Sequence, residues 1–292
     1  MTDKPKFESW QAILDSNTSG MPPIIGGMPR GGTTHAYRSM WAAQVNPQPY
    51  FLEEYMHPYY QYHFRDEEPR IVLDIAGMDA AQAEGKIINQ EGHPDVEGRE
   101  LELRYQKLLA SPRGHAGGFM KVFPIHALKL KRYNEEFYMH MIENHHWFLI
   151  MREQFHDWLF SNAYSNRFNK FHYYENQKLI DIEFEGHVQS IDFHVNMLNE
   201  IYDQRRLMKS YSVVWTSQFS HLKSPFSLWL QRKISTPRLD KDKPALLKKI
   251  MTNYNELYEH AIKQFNATVP EHTNGWLTLD SDNQLVIDET AK

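Results

Sequence analysis

The residues best suited to chemistry in this chain lie in one run: Pro22–Pro23–Ile24–Ile25–Gly26–Gly27–Met28–Pro29–Arg30–Gly31–Gly32–Thr33–Thr34. Its glycines let backbone N–H groups approach a ligand without Cβ interference. Successive N–H groups at a turn and a helix start form a preformed anion site. Thr33 and Thr34 add hydroxyl donors, and Arg30 adds a forked, charged donor set. The chemistry implied is the holding of a phosphate-like group. The plain structural alternative is a tight strand–helix turn that needs glycine for geometry alone.

Such a loop needs a strand before it and a helix after it. Ile24–Gly27 reads as a short buried strand, and Thr34 to about Gln44 as a helix, with Tyr37, Met40, Trp41 and Val45 at helical spacing. Asn46–Pro47 stops that helix. Arg70–Ile75 reads as a strand or as part of an apolar helix. Phe119–Phe123 and Trp147–Met151 read as further strands, the second an uninterrupted apolar run of the kind covered on both faces. Helices are expected over Asn134–Asn144, from Phe155 through Leu159, from Val188 through Tyr202, and over Leu246–Gln264, with a strand at Tyr211–Trp215. The alternation predicts an α/β fold, a central and mostly parallel sheet flanked by helices. One domain is expected over 1–292, with a polar lead-in at 1–20, a glycine-containing insertion at 77–118 and a hairpin at 275–288.

Composition narrows the function classes. The chain has 292 residues, 41% hydrophobic and 24% charged, within the range of a globular protein with a sizeable core. A net charge of −5 gives no general nucleic-acid signature. The absence of cysteine removes disulfides, thiolate nucleophiles and Cys-ligated zinc. No window approaches a membrane span, and MTDKPKFESW lacks the apolar core of a secretion signal, so no membrane partner and a cytoplasmic location are expected. Sixteen histidines invite a metal reading. His140, His145 and His146 cluster without an H-E-x-x-H pattern, and His57, His63 and His115 lack ligand spacing, so no metal is expected.

From Gly27 the loop reads G-x-x-x-x-G-T-T, against G-x-x-x-x-G-K-[ST] in the nucleoside-triphosphatase P-loop. Thr33 stands where that motif has lysine. Pro29–Arg30–Gly31–Gly32–Thr33–Thr34 instead resembles the 5′-phosphosulfate loop of the sulfotransferase family, P-[RK]-S-G-T-T, with Gly31 at the serine position. That family also has a strand ending in Arg, followed by a helix whose Ser completes a 3′-phosphate site. Arg152 and Ser161 match these positions, one residue further apart than is usual. Gly118–Pro124 resembles the family strand that bears a lysine near the reacting centre, here Lys121. The cytosolic branch has its catalytic histidine where this chain has Phe123, and His126 follows three residues later. The tyrosylprotein branch uses a glutamate, and Glu53–Glu54 follow Pro47 at a similar offset.

The resemblance covers roughly residues 22–220. It implies a three-layer sandwich like that of P-loop nucleotide hydrolases, and transfer of a sulfuryl group from 3′-phosphoadenosine 5′-phosphosulfate (PAPS) to an acceptor hydroxyl. The desulfonated nucleotide, PAP, would be the product, and no metal is required. The loop from Pro29 to Thr34 would hold the 5′ phosphate, and Arg152 and Ser161 the 3′ phosphate. Glu54 would take the acceptor proton, with Glu53 and His126 as alternatives, and Lys121 would balance charge on the leaving oxygen. The aromatic segment Tyr50–Phe64 and the 77–118 insertion are candidate acceptor-binding regions. Two other readings stay open: a divergent nucleotide kinase or triphosphatase, with Asp74 as its magnesium carboxylate, and a non-catalytic nucleotide-binding module.

Overall fold

A computed structural model describes residues 7–29, 31–43, 96–110, 120–168, 179–220, 222 and 243–291. Arg30, Glu53, Glu54, Asp74, the aromatic segment, Arg70–Ile75 and most of the 77–118 insertion lie outside these residues.

Four strands form one sheet: β1 (Pro23–Gly27), β2 (Met120–Val122), β3 (His146–Met151) and β4 (Ser210–Trp215). Their order is β2-β1-β3-β4, and every neighbouring pair is parallel. All six residues of β3 are buried, as its unbroken apolar run requires of a strand covered on both faces. Alternate residues serve opposite faces. Ile24, Met120, Val122, Trp147, Leu149, Met151, Val213 and Trp215 join the larger core, while Ile25, Phe148, Ile150 and Val214 join the smaller one.

The smaller core is closed by α1 (Trp10–Asp15) and α2 (Thr33–Ala43), through Trp10, Ile13, Ala36, Tyr37 and Met40. The polar lead-in expected over 1–20 therefore contains a core helix. Ser9 caps it by accepting from Ala12 N–H at 3.1 Å, and Trp10 and Ile13 sit one turn apart on its buried side.

The larger face carries α3 (Val96–Ala110), α4 (Pro124–Tyr133), α5 (Glu135–Glu143), α6 (Phe155–Phe168), α7 (Val188–Leu207), α8 (Lys243–Ile250) and α9 (Tyr254–His272). Helices on both faces make the fold α/β and compatible with a three-layer sandwich. Where short helices were expected in the insertion, α3 is one helix that buries Leu101, Arg104 and Tyr105. The helix expected over Leu246–Gln264 is two, because Met251 leaves the helical path to bridge Phe184. Beyond α9, β5 (Leu277–Leu279) and β6 (Leu285–Ile287) pair antiparallel.

Candidate functional site

The β1–α2 connection is built around glycines at which a Cβ would be crowded or the backbone strained. Gly27 has φ of +137°, and a Cβ there would lie 2.6 Å from the Ile150 carbonyl oxygen of the neighbouring strand. Gly31 N–H donates to the Met28 carbonyl at 2.9 Å, closing a turn with Pro29 at its second position, where the fixed φ of proline suits it. A Cβ on Gly31 would lie 2.9 Å from that same carbonyl oxygen. A serine at this position would have to displace that carbonyl, so the turn as it stands favours glycine. Gly32, with φ of +88°, offers its carbonyl to Ala36 N–H and begins α2, while Thr216 and Phe219 pack 3.0 and 3.1 Å from where its Cβ would be. Thr33 and Thr34 follow, both buried.

Lys121 is brought to this turn by strand register. It pairs with Ile25 of β1, whose side chain belongs to the α2 face, and its ammonium donates to Thr34 Oγ1 at 2.7 Å. The same ammonium lies 5.0 Å from the Phe123 ring centroid. His126 sits in the first turn of α4, buried, with its ring 5.5 Å from that of Phe123. The structure thus joins Lys121 to Thr34 and places His126 on the next helix.

A second group of polar side chains follows β3, the strand beside β1. Arg152 Nη2 lies 3.5 Å from Asp157 Oδ2 in the first turn of α6. Burial pulls the Arg152 pKa down, against the opposing charges of Asp157 and Glu153. His156, 3.6 Å from Asp157 Oδ1, is also held below its ordinary pKa, chiefly by burial. One turn beyond Asp157, buried Ser161 accepts from the ammonium of Lys243 at 3.0 Å. Lys243 begins α8, is itself buried, and lies 4.6 Å from the Tyr164 ring centroid.

Sequence reasoning missed two members of this neighbourhood. Lys243 stands far from Ser161 in the chain, and nothing in its local pattern distinguishes it from the lysines around it. Glu153, buried beside Arg152, accepts from Thr216 Oγ1 at 3.4 Å, from Ser217 N–H at 3.3 Å and from the Ser217 hydroxyl. It anchors the 3₁₀ turn whose Thr216 and Phe219 pack on Gly32. Its one sequence signal is a carboxylate directly after an apolar strand and an arginine.

In parallel open sheets, ligands bind outside the carboxyl ends of the strands. Both groups lie there, on adjacent strands. Backbone N–H groups, hydroxyls and cations together suit a ligand that carries anionic groups. Among the described residues, no set of three or more His, Asp or Glu is arranged to hold a metal ion, and no helix is long and apolar enough to cross a membrane. No protein-family model, curated protein or solved structure matches this chain.

Proposed function

We propose that the protein is a sulfotransferase, moving a sulfuryl group from 3′-phosphoadenosine 5′-phosphosulfate to an acceptor hydroxyl. The observation that carries this reading is the pairing of β1 with β3, which brings the glycine turn and the Arg152–Ser161 group to the same edge of the sheet. A ligand with phosphates at two positions would meet the turn with one and Arg152, Ser161 and Lys243 with the other.

In this reading the acceptor oxygen forms a bond to sulfur as the bond from sulfur to the 5′-phosphate oxygen breaks, and that oxygen keeps the electron pair. Lys121, already bonded to Thr34 at 2.7 Å, offsets the charge that develops there. Glu54 takes the acceptor proton, with Glu53 and His126 as the other candidate bases. The turn, Arg30, Thr33 and Thr34 hold the 5′ end. Positioning and electrostatics supply most of the rate, as in phosphoryl transfer.

Calorimetric titration with PAP tests this. The unaltered protein should bind it more tightly than ATP, and Arg152→Ala should weaken binding by roughly 10- to 100-fold, the scale of a charge-assisted hydrogen bond. Absence of binding, or magnesium-dependent turnover of ATP, overturns the proposal.

A further inference from the structure

The turn after β1 is tied to α6 by a hydrogen bond that neither element predicts. The indole N–H of Trp158 donates to the Pro29 carbonyl at 2.6 Å. Pro29 is the second residue of the Met28–Gly31 turn, so the bond fixes the plane of a peptide inside the loop itself. Trp158 is only 3% exposed, and it follows Asp157 and precedes Ser161 by less than one helical turn.

The indole is also held from behind. Its ring meets His194 of α7 edge-on, with centroids 6.2 Å apart. The His194 ring bonds to the Ser190 carbonyl through Nδ1 and to the Asn162 amide through Nε2, and Asn162 belongs to the same helix as Trp158. A donor braced on two helices therefore reaches across to the loop. The β1–β3 ladder brings the two groups side by side, and this bond adds a direct tie between the loop and the helix that carries Ser161.

We propose that Trp158 is a positioning residue that sets the separation between the glycine turn and the Arg152–Ser161 group, so that the protein selects ligands with anions at both ends over ligands with one. This rests on the donor reading above. Once one end of a rigid ligand is held, its second contact is intramolecular, and it adds affinity only if the spacing of the two sites is fixed and matched. Loosening the tie leaves each site able to hold one anion but removes the gain from holding two.

The test is a titration of the unaltered protein and Trp158→Phe with three probes: adenosine 3′,5′-bisphosphate, adenosine 5′-monophosphate and adenosine 3′-monophosphate. Phenylalanine keeps an aromatic ring and removes the N–H. Incorporating 3-benzothienylalanine at 158, which keeps the ring shape with sulfur in place of N–H, controls for lost packing. In both variants, bisphosphate binding should weaken by about tenfold, while both monophosphates stay within about twofold. An equal loss for all three probes in the benzothienyl variant makes Trp158 a general support of the fold and overturns the inference. Unchanged bisphosphate binding in both variants overturns it as well. If the unaltered protein does not bind the bisphosphate, the donor reading falls and this inference falls with it.

Discussion

The two ends of the four parallel strands are finished differently. At the amino edge, polar side chains of the strands meet one another through register or meet the end of α1. His146 pairs with Ser210 in the ladder, and its Nδ1 lies 2.7 Å from the Ser210 hydroxyl. Ser212 lies 3.3 Å from Ser16, which itself donates to the Ile13 carbonyl. Burial pushes the His146 pKa down to about 4, so this edge holds a neutral imidazole. At the carboxyl edge, cations and an indole make contacts between different elements: Lys121 of β2 to Thr34 of α2, Lys243 of α8 to Ser161 of α6, and Trp158 of α6 to Pro29 in the turn. One edge uses polar groups to seal the sheet. The other gathers cations and donors around a turn whose shape depends on glycine, and that difference supports the ligand site proposed there.

Gly27→Ala should do the most damage at the carboxyl edge. The added Cβ would sit 2.6 Å from a backbone oxygen at a φ of +137°, so neither partner can yield cheaply. A loss of roughly 3 kcal/mol or more is expected in urea denaturation. Gly31→Ser, which restores the serine seen in the resembled loop, should cost about 1–3 kcal/mol and weaken PAP binding, because its Cβ meets the Met28 carbonyl at 2.9 Å. A serine variant that is both as stable and tighter-binding would show that the turn tolerates a side chain after all.

The amino edge is tested by pH instead of by a steric clash. The folded-state pKa of His146, about 4, lies below its ordinary 6.5, so protonation favours the unfolded chain. The stability from keeping it neutral is complete above pH 6.5 and is lost as pH falls toward 4. His146→Asn leaves a polar group near Ser210 and cannot titrate. Melting curves should show the gap between the two proteins narrowing across that pH window, and a constant gap would remove His146 from the account.

The glycine turn was legible because its requirements are local. A strand, glycines at the right intervals and threonines at a helix start can all be read within a dozen positions. Strands β1, β3 and β4 were legible as short apolar runs, and α5 showed its boundary through Asn134, whose side chain accepts from Phe137 N–H at 3.2 Å. Helix α1 was missed because charged and polar neighbours dilute Trp10 and Ile13, although their spacing is helical. The break at Met251 was missed because its cause, the bridge to Phe184, is remote in the chain. Lys243 and Glu153 escaped for the same reason, as did the contact of Trp158 with Pro29: each acts on a partner that only tertiary packing brings near.

Glu153 also has a bearing on how the molecule is made. Its backbone carbonyl accepts from Leu285 N–H at 2.6 Å, so the strand β6 is stitched to the residue beside Arg152. On a ribosome, the glycine turn and α2 emerge early, whereas the segment that steadies the neighbourhood of Arg152 emerges after most of the chain has been synthesised. Contacts of such long sequence separation also slow folding in free solution. Because β1 pairs with β3, and Thr216 and Phe219 pack on Gly32, the turn gains its supports only after those later segments are made, and the Arg152 side gains its last one only with Leu285.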